Sequence, residues 1–339
     1  MTLEQSVNLF KADRELITDW IKEIISDEYE NSVLRQMIIP VFANENSKKL
    51  RPLIIVYCFR MIVGEDEDES LLKPLCSAIE ISHNASLLID DIFDKDLLRR
   101  GEESFFVKHG TFSALSIAYN LSAFVFELST RADNPTIVRE YGKAGTALSS
   151  ALYLSKDLKS KKKVSKEFFM DVLHRKTSAL FETSAKIGAL LSGHFKDIDT
   201  STIDVVAKFG QLFGTAYQLR DDVLAIIGSI EDLGKEPDSD ITNRFQSLIT
   251  IEAMGLASDK DRIKLEDFYL NADEIDPETI RNILIDSGGV KKVIDTTLEL
   301  RNEALAILST FPDSNAKDKL IKLTSLINFE SLKPYILNK

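Results

Sequence analysis

Residues 78–101 read Ala78-Ile79-Glu80-Ile81-Ser82-His83-Asn84-Ala85-Ser86-Leu87-Leu88-Ile89-Asp90-Asp91-Ile92-Phe93-Asp94-Lys95-Asp96-Leu97-Leu98-Arg99-Arg100-Gly101. Ala78, Ile81, Ala85, Leu88 and Ile92 recur at three- and four-residue spacing, the stripe of a helix with one buried face. On that helix Asp90 and Asp94 stand at i and i+4 and share a face, with Asp91 beside them. Like charges at that spacing repel by a few tenths of a kcal/mol, so they favour a cation between them. Hard carboxylate oxygens suit Mg2+, which binds through one or two carboxylates while bridging phosphates. Arg99 and Arg100 offer forked donors that fit diphosphate oxygens. The acidic cluster alone decides little. With 54 acidic residues in 339, three carboxylates at these offsets arise roughly once by chance, and in isolation a solvated helix face is the better explanation.

The helical spacing continues through most of the chain. Val205, Phe209, Leu212, Phe213, Ala216, Val223 and Ile227 lie on one stripe. Leu53 to Val63 includes the β-branched Ile54, Ile55 and Val56, but the apolar run is too long and unbroken for a strand and predicts a buried helix. Only 14 Gly and 8 Pro favour long uninterrupted helices over sheets and turns. Polar breaks fall at 44–47, 64–70, 131–135, 160–165, 194–202, 228–240 and 271–277. The acidic 65–69 and basic 159–163 runs read as solvated loops. With no repeat and no Gly-, Pro- or Ser-rich linker, residues 1–339 read as a single all-α domain of ten or more helices.

A net charge of −12 argues against a nucleic-acid partner. It leaves an anionic substrate open, because bound metals invert the local sign. Cys58 and Cys76 sit in apolar patterns and give neither zinc spacing nor a disulfide framework. The N-terminus is charged and amphipathic rather than a signal peptide, and no apolar run reaches the ~18 residues of a membrane span. A cytoplasmic location is expected.

A second acidic cluster, Gln218-Leu219-Arg220-Asp221-Asp222, lies on the striped helix that ends near Ile227. Its two carboxylates are adjacent and point about 100° apart, so only one can face a site squarely. Lys48, Lys49 and Arg51 precede Pro52, a first-turn helix residue. Cations there oppose the helix dipole, and an incoming phosphate would remove the conflict. His83 lies two turns before Asp90 on the same face. Lys176-Thr177 offers a further cation. Taken singly, these residues are equally well read as a core histidine, surface lysines and a helix-end acidic pair.

In order, the motifs resemble those of the trans-isoprenyl diphosphate synthases, or polyprenyl synthetases, over about residues 40–250. Ser47 to Pro52 resembles the family's GKxxRP segment, and Glu80 to Gly101 its first aspartate-rich motif. Arg175-Lys176-Thr177 resembles the KT element, and Gln218 to Asp222 the second aspartate-rich motif. Gly234-Lys235 with Ser239-Asp240 resembles the loop that follows. The resemblance implies an isoprenoid synthase-like bundle of long helices around a central cavity. It implies that Asp90, Asp94 and Asp221 hold Mg2+, three ions per site, with Asp91 and Asp222 in support. It assigns Arg99, Lys176 and Lys235 to an allylic diphosphate, and Lys48, Arg51, His83 and Arg100 to isopentenyl diphosphate. By the same resemblance Thr177 and Gln218 would line the reacting carbons. A homodimer is expected.

The chain departs from the family pattern at three places. Ala225 stands where many members carry a third carboxylate, and Asn120 where an aspartate often follows the first motif. Phe245 replaces a diphosphate lysine, for which the adjacent Arg244 is a candidate substitute. In the family, bulky residues four and five positions before the first motif stop the growing chain. Here these are Ser86 and Ala85, both small, so a product of twenty carbons or more is expected. The floor is then expected deeper, at Ser82 or at Tyr119, Phe124 or Phe126. Two rivals stay open: a non-catalytic subunit of a heteromeric synthase, motivated by Phe245 and Ala225, and a class I terpene cyclase.

Overall fold

Leu72–Asp94 forms one unbroken helix, and the acidic cluster is its last turn. That places three carboxylates at the negative end of a helix dipole with no basic residue in the turn to offset them, a strain that cations from elsewhere must relieve. The computed structural model describes residues 10–329 apart from 31, 43–46, 66, 67, 69, 100, 161, 229–238, 272 and 273.

In chain order the helices are α1 (Lys11–Glu28), α2 (Val33–Phe42), α3 (Leu50–Val63) and α4 (Leu72–Asp94). A two-residue hairpin follows, β1 (Leu98–Arg99) against β2 (Glu102–Glu103), antiparallel, with Gly101 between them at φ 84°. Then come α5 (Phe105–His109), α6 (Thr111–Thr130), α7 (Pro135–Leu154), a 3-10 turn at Ser155–Lys159, and α8 (Lys166–Leu173). A π-helical turn, His174–Ser178, leads into α9 (Ala179–Ser192) and α10 (Thr200–Ile227). The C-terminal part holds α11 (Ser239–Thr242), α12 (Leu248–Leu256), α13 (Asp259–Glu266), a π turn at Asp267–Asn271, α14 (Pro277–Asp286), α15 (Gly289–Ser309) and α16 (Asn315–Thr324). The all-α expectation holds, and the helices continue beyond the stretch in which the motifs lie.

α3 is buried on almost every side, Leu53 through Phe59 included; an all-round apolar helix belongs inside. α4 lies between α3 and α6, and α9 packs on α3 and α10. α10 runs 28 residues, about 42 Å at 1.5 Å per residue, and joins two hydrophobic cores. Its Val206–Ala216 half packs into a core with α1, α3, α4, α6 and α9, and its Leu219–Ile227 half into one with α8, α12, α14 and α15. Close approach of α9 to α10 depends on Gly214, where a Cβ would lie 2.8 Å from Phe181 Cδ2. Asn134, Ser165 and Asp199 cap α7, α8 and α10 by accepting backbone N–H bonds.

α6 is long and apolar enough, by length and composition, to cross a membrane. The sequence reading missed this because Ser, Thr and Asn interrupt its apolar run. One face packs on α4 and α7; the other leaves Phe112 84 %, Tyr119 81 %, Leu115 45 % and Phe126 44 % exposed.

Candidate active site

The C-terminal halves of α4 and α10 converge on one cavity of about 390 Å3. Lys48, Arg51, His83, Asp90, Arg99, Lys176, Thr177, Gln218 and Asp221 all line it, with Leu148, Leu152 and Phe181 as apolar wall. An adjoining cavity of about 730 Å3 is lined by Asp94, Asp222, Lys159 and Phe245, and shares Lys176, Thr177 and Gln218 with the first. Arg100 and Lys235, with Gly234, lie outside the described residues.

Each carboxylate of the first cluster holds a different cation. Lys176 Nζ lies 2.9 Å from Asp90 Oδ1, and Lys159 donates to Asp94 Oδ1 at 2.7 Å. Burial opposes charge on Lys176, but Asp90 more than offsets it and raises the ammonium's pKa. Asp91 is turned to the other side of α4 and buried, and it accepts from Arg99 Nε at 2.8 Å as well as from Nη2. It therefore lines neither of these cavities, a correction to its grouping with the metal-facing carboxylates: i and i+1 on a helix cannot share a face. Arg99 lines both the 390 Å3 cavity and Asp91's own side of the helix. Burial opposes its charge too, and the bond to Asp91 outweighs that and raises its pKa.

The second cluster divides in the same way. Asp221 faces the smaller cavity, 3.1 Å from Arg220 Nη1. Asp222 is buried and accepts from Gln218 Nε2 at 2.9 Å, while Gln218 Oε1 accepts from Thr177 Oγ1 at 3.0 Å. This relay ties α10 to the π-helical turn carrying Lys176 and Thr177. A π turn shifts side chains off the α-helical register and often sits at functional sites. No sequence signal marks it.

On the opposite wall Lys48 donates to Tyr217 Oη at 2.7 Å, and the Arg51 guanidinium stacks 4.4 Å over the Phe181 ring. Lys49 borders the same cavity, but its charge is already matched. It is buried and bonded to Glu80 Oε1 at 3.1 Å, so of the cationic triplet its charge is the one held by a buried carboxylate. Burial alone would raise the Glu80 pKa, but Lys49, His83 and Arg51 more than offset it and hold the carboxyl at about 2. Glu80 and Tyr217 went unnoticed in the sequence as wall residues.

Four further expectations change. Arg244 does not reach the cavities: it bonds the Phe268 carbonyl and stacks 4.5 Å over that ring. Lys159 is exposed, as a solvated residue would be, but it ends a 3-10 turn and bonds Asp94. Ser86 lines the smaller cavity, whereas Ala85 is packed in the core. Tyr119 and Phe126 face outward and cannot floor a cavity within this chain, while Phe124 is buried.

Among the described residues no three His, Cys, Asp or Glu side chains converge to hold a metal ion unaided. A donor set of few, hard carboxylate oxygens beside a cation-rich cavity fits Mg2+, which keeps several waters and shares phosphate oxygens instead of occupying an all-protein cage.

A family model described as Polyprenyl synthetase matches residues 32–285. The chain is 31 % identical to the geranylgeranyl diphosphate synthase of Methanosarcina mazei over 61 % of its own length, spanning 63 % of that relative. It is 30 % identical to the geranylfarnesyl diphosphate synthase of Aeropyrum pernix, covering 80 % of this chain and 86 % of the other. The crystal structure of a geranylgeranyl pyrophosphate synthetase from Pyrococcus horikoshii superposes with a TM-score of 0.84 at 25 % identity, covering 96 % and 98 % of the two chains. With the model match spanning most of the chain and the fold shared end to end, this chain belongs to the polyprenyl synthetase family of trans-prenyltransferases.

Proposed function

We propose that the chain condenses isopentenyl diphosphate with an allylic diphosphate to give geranylgeranyl diphosphate or a longer polyprenyl diphosphate. The observation that carries this reading is one cavity with two chemically different walls. Asp90, Asp221 and Lys176 mix carboxylates with a cation, which suits a diphosphate bound through metal ions. Lys48, Arg51 and His83 present nitrogen donors, and the one carboxylate beside them, Glu80, is paired with Lys49, which suits a diphosphate bound directly. A terpene cyclase has no use for the second wall. A non-catalytic subunit has no use for the first.

Mg2+ bound at Asp90, Asp94 and Asp221, three ions in all, would neutralise the leaving diphosphate as a Lewis acid. Lys176, Arg99 and Lys235 hold the same diphosphate, so that the allylic C–O bond breaks with its electron pair departing on oxygen. The isopentenyl double bond, positioned by Lys48, Arg51, His83 and Arg100, then attacks the allylic carbon and forms the new C–C bond. Loss of a proton to the released diphosphate regenerates an allylic double bond. Leu148, Leu152 and Phe181 keep water from the cation, and Thr177 with Gln218 fixes the polar edge of the reacting region.

We take residues 1–339 as one catalytic domain, cytoplasmic, acting as a homodimer. Phe112, Leu115, Tyr119 and Phe126 make an exposed apolar stripe on α6 of the kind a second copy covers. The test is incubation of the purified protein with labelled isopentenyl diphosphate, allylic primers of increasing length and Mg2+. A product ladder ending at one defined length is expected; no Mg2+-dependent incorporation from any primer would sink the reading.

A further inference from the structure

The 3-10 turn Ser155–Lys159 delivers a lysine that the two aspartate-rich motifs do not predict. Its neighbour Leu158 is buried, and the segment after it is fastened by one residue far along the chain. Gln246 donates its backbone N–H to the Leu158 carbonyl at 2.8 Å. Its side-chain amide donates to the carbonyls of Ser160 and Lys162, both at 2.9 Å. Its Oε1 accepts from the Val164 N–H at 3.2 Å. Gln246 is 1 % exposed, so breaking this clamp strands buried polar groups. The backbone at Leu158, Ser160, Lys162 and Val164 is therefore held in place.

What the clamp positions is Lys159 Nζ, 2.7 Å from Asp94 Oδ1. Both side chains are about one-third exposed, at 33 % and 32 %, and an ion pair in that setting adds little stability. A fastened segment ending in an energetically minor pair makes sense if the lysine has another partner. Lys176 on Asp90 repeats the arrangement one turn earlier on α4. The larger cavity is lined by both lysines and by the apolar Phe245.

We propose that Lys159 binds the diphosphate of the allylic substrate from the Asp94 side of the cavity. The inference rests on the prenyl-transfer reading above. With Asp94 engaged by Mg2+, the Lys159 ammonium would stand free for the diphosphate, already oriented and with little entropy to lose. Lys159 thereby supplies a cation to a cavity to which neither Phe245 nor Arg244 brings one.

The test measures binding of inorganic diphosphate in the presence of Mg2+ by titration calorimetry, together with KM for each substrate. Lys159→Gln is expected to weaken diphosphate binding about tenfold, the size of one charge-assisted hydrogen bond. KM for the allylic diphosphate should rise, with that for isopentenyl diphosphate unchanged. Lys159→Arg should keep most of the affinity. Phe245→Lys, added to Lys159→Gln, should restore part of it from another position on the cavity lining. If Lys159 is only the counter-ion of Asp94, its removal frees that carboxylate and binding tightens or stays constant; that sign overturns the proposal. An equal rise in both KM values also overturns it. Normal wild-type turnover with an unaltered Lys159→Gln variant sinks this inference alone, whereas a wild type without Mg2+-dependent turnover sinks the functional reading and this with it.

Discussion

Arg99 and Asp91 form a two-point contact across the end of α4, with Nε 2.8 Å from Oδ1 and Nη2 bonded to the same oxygen. The middle carboxylate of the first cluster is thus spent on a guanidinium that itself borders the site. Asp91→Asn keeps the shape and removes the charge that holds Arg99. Turnover should fall about tenfold to a hundredfold through lost orientation, with unfolding midpoints little changed. Arg99→Lys should not preserve activity, because an ammonium cannot reproduce the fork. Steady-state kinetics on both variants decide the point; a fully active Asp91→Asn would remove any positioning role.

Asp90 and Asp221 come from different helices yet face the same 390 Å3 cavity. Either one changed to Ala should cost at least about a hundredfold in turnover, as loss of a main electrostatic group does. Chelation should abolish activity in the wild type and Mg2+ should restore it. In the Asp90→Ala variant saturation should require far more Mg2+. Near-normal rates in either variant would falsify the proposed metal site.

The legible part of this protein is written in residue type at helical spacing. Asp90, Asp94 and Asp221, and the all-round apolar run of α3, follow from i, i+4 arithmetic within one helix. The rest depends on partners distant in sequence. Lys159 looks like any member of a basic run until Gln246 clamps the segment behind it. Lys49 looks like its neighbours Lys48 and Arg51 until Glu80, on another helix, draws it inward. The π turn that orients Lys176 and Thr177 arises from packing against α7 to α10, and leaves no mark in composition or periodicity.

Glu80 gives a pH-dependent signature. Its carboxyl titrates at about 2 in the folded protein against an ordinary 4.5. A depressed carboxyl stabilises the fold above its unfolded value, and that contribution is lost as pH falls from about 4.5 towards 2. The shift corresponds to on the order of 3 kcal/mol. Urea midpoints should therefore drop steeply across that window, and Glu80→Gln should flatten the slope. Lys49→Met should cost about 3–5 kcal/mol at neutral pH, because it leaves a buried carboxylate without its cation. A slope unchanged in Glu80→Gln would assign acid sensitivity to other groups.

Tyr119 is 81 % exposed on an apolar face of α6, so its substitution by a charge touches no packing within the chain. Tyr119→Glu should change the stability of an isolated chain by about ±0.5 kcal/mol at most. Across a two-fold axis each substitution meets its own copy or that copy's apolar face, and association should fail. Sedimentation equilibrium should show a dimer for the wild type and a monomer for the variant. A variant that stays dimeric places the interface elsewhere.

Ser86 and Ala85 separate chain-length control from core packing. Both are small and precede Asp90 by one turn, but only Ser86 borders the cavity, while Ala85 is 2 % exposed in the core. A phenyl ring at 86 would occupy space into which an isoprenoid tail grows, whereas the same ring at 85 would be forced between packed helices. Ser86→Phe should therefore shorten the product by one or more five-carbon units with stability nearly unchanged. Ala85→Phe should lower stability by about 1–3 kcal/mol through overpacking, whatever it does to the product. Product chromatography alongside thermal melts distinguishes the two. An unchanged product from a well-folded Ser86→Phe would mean that the tail leaves the site by another wall.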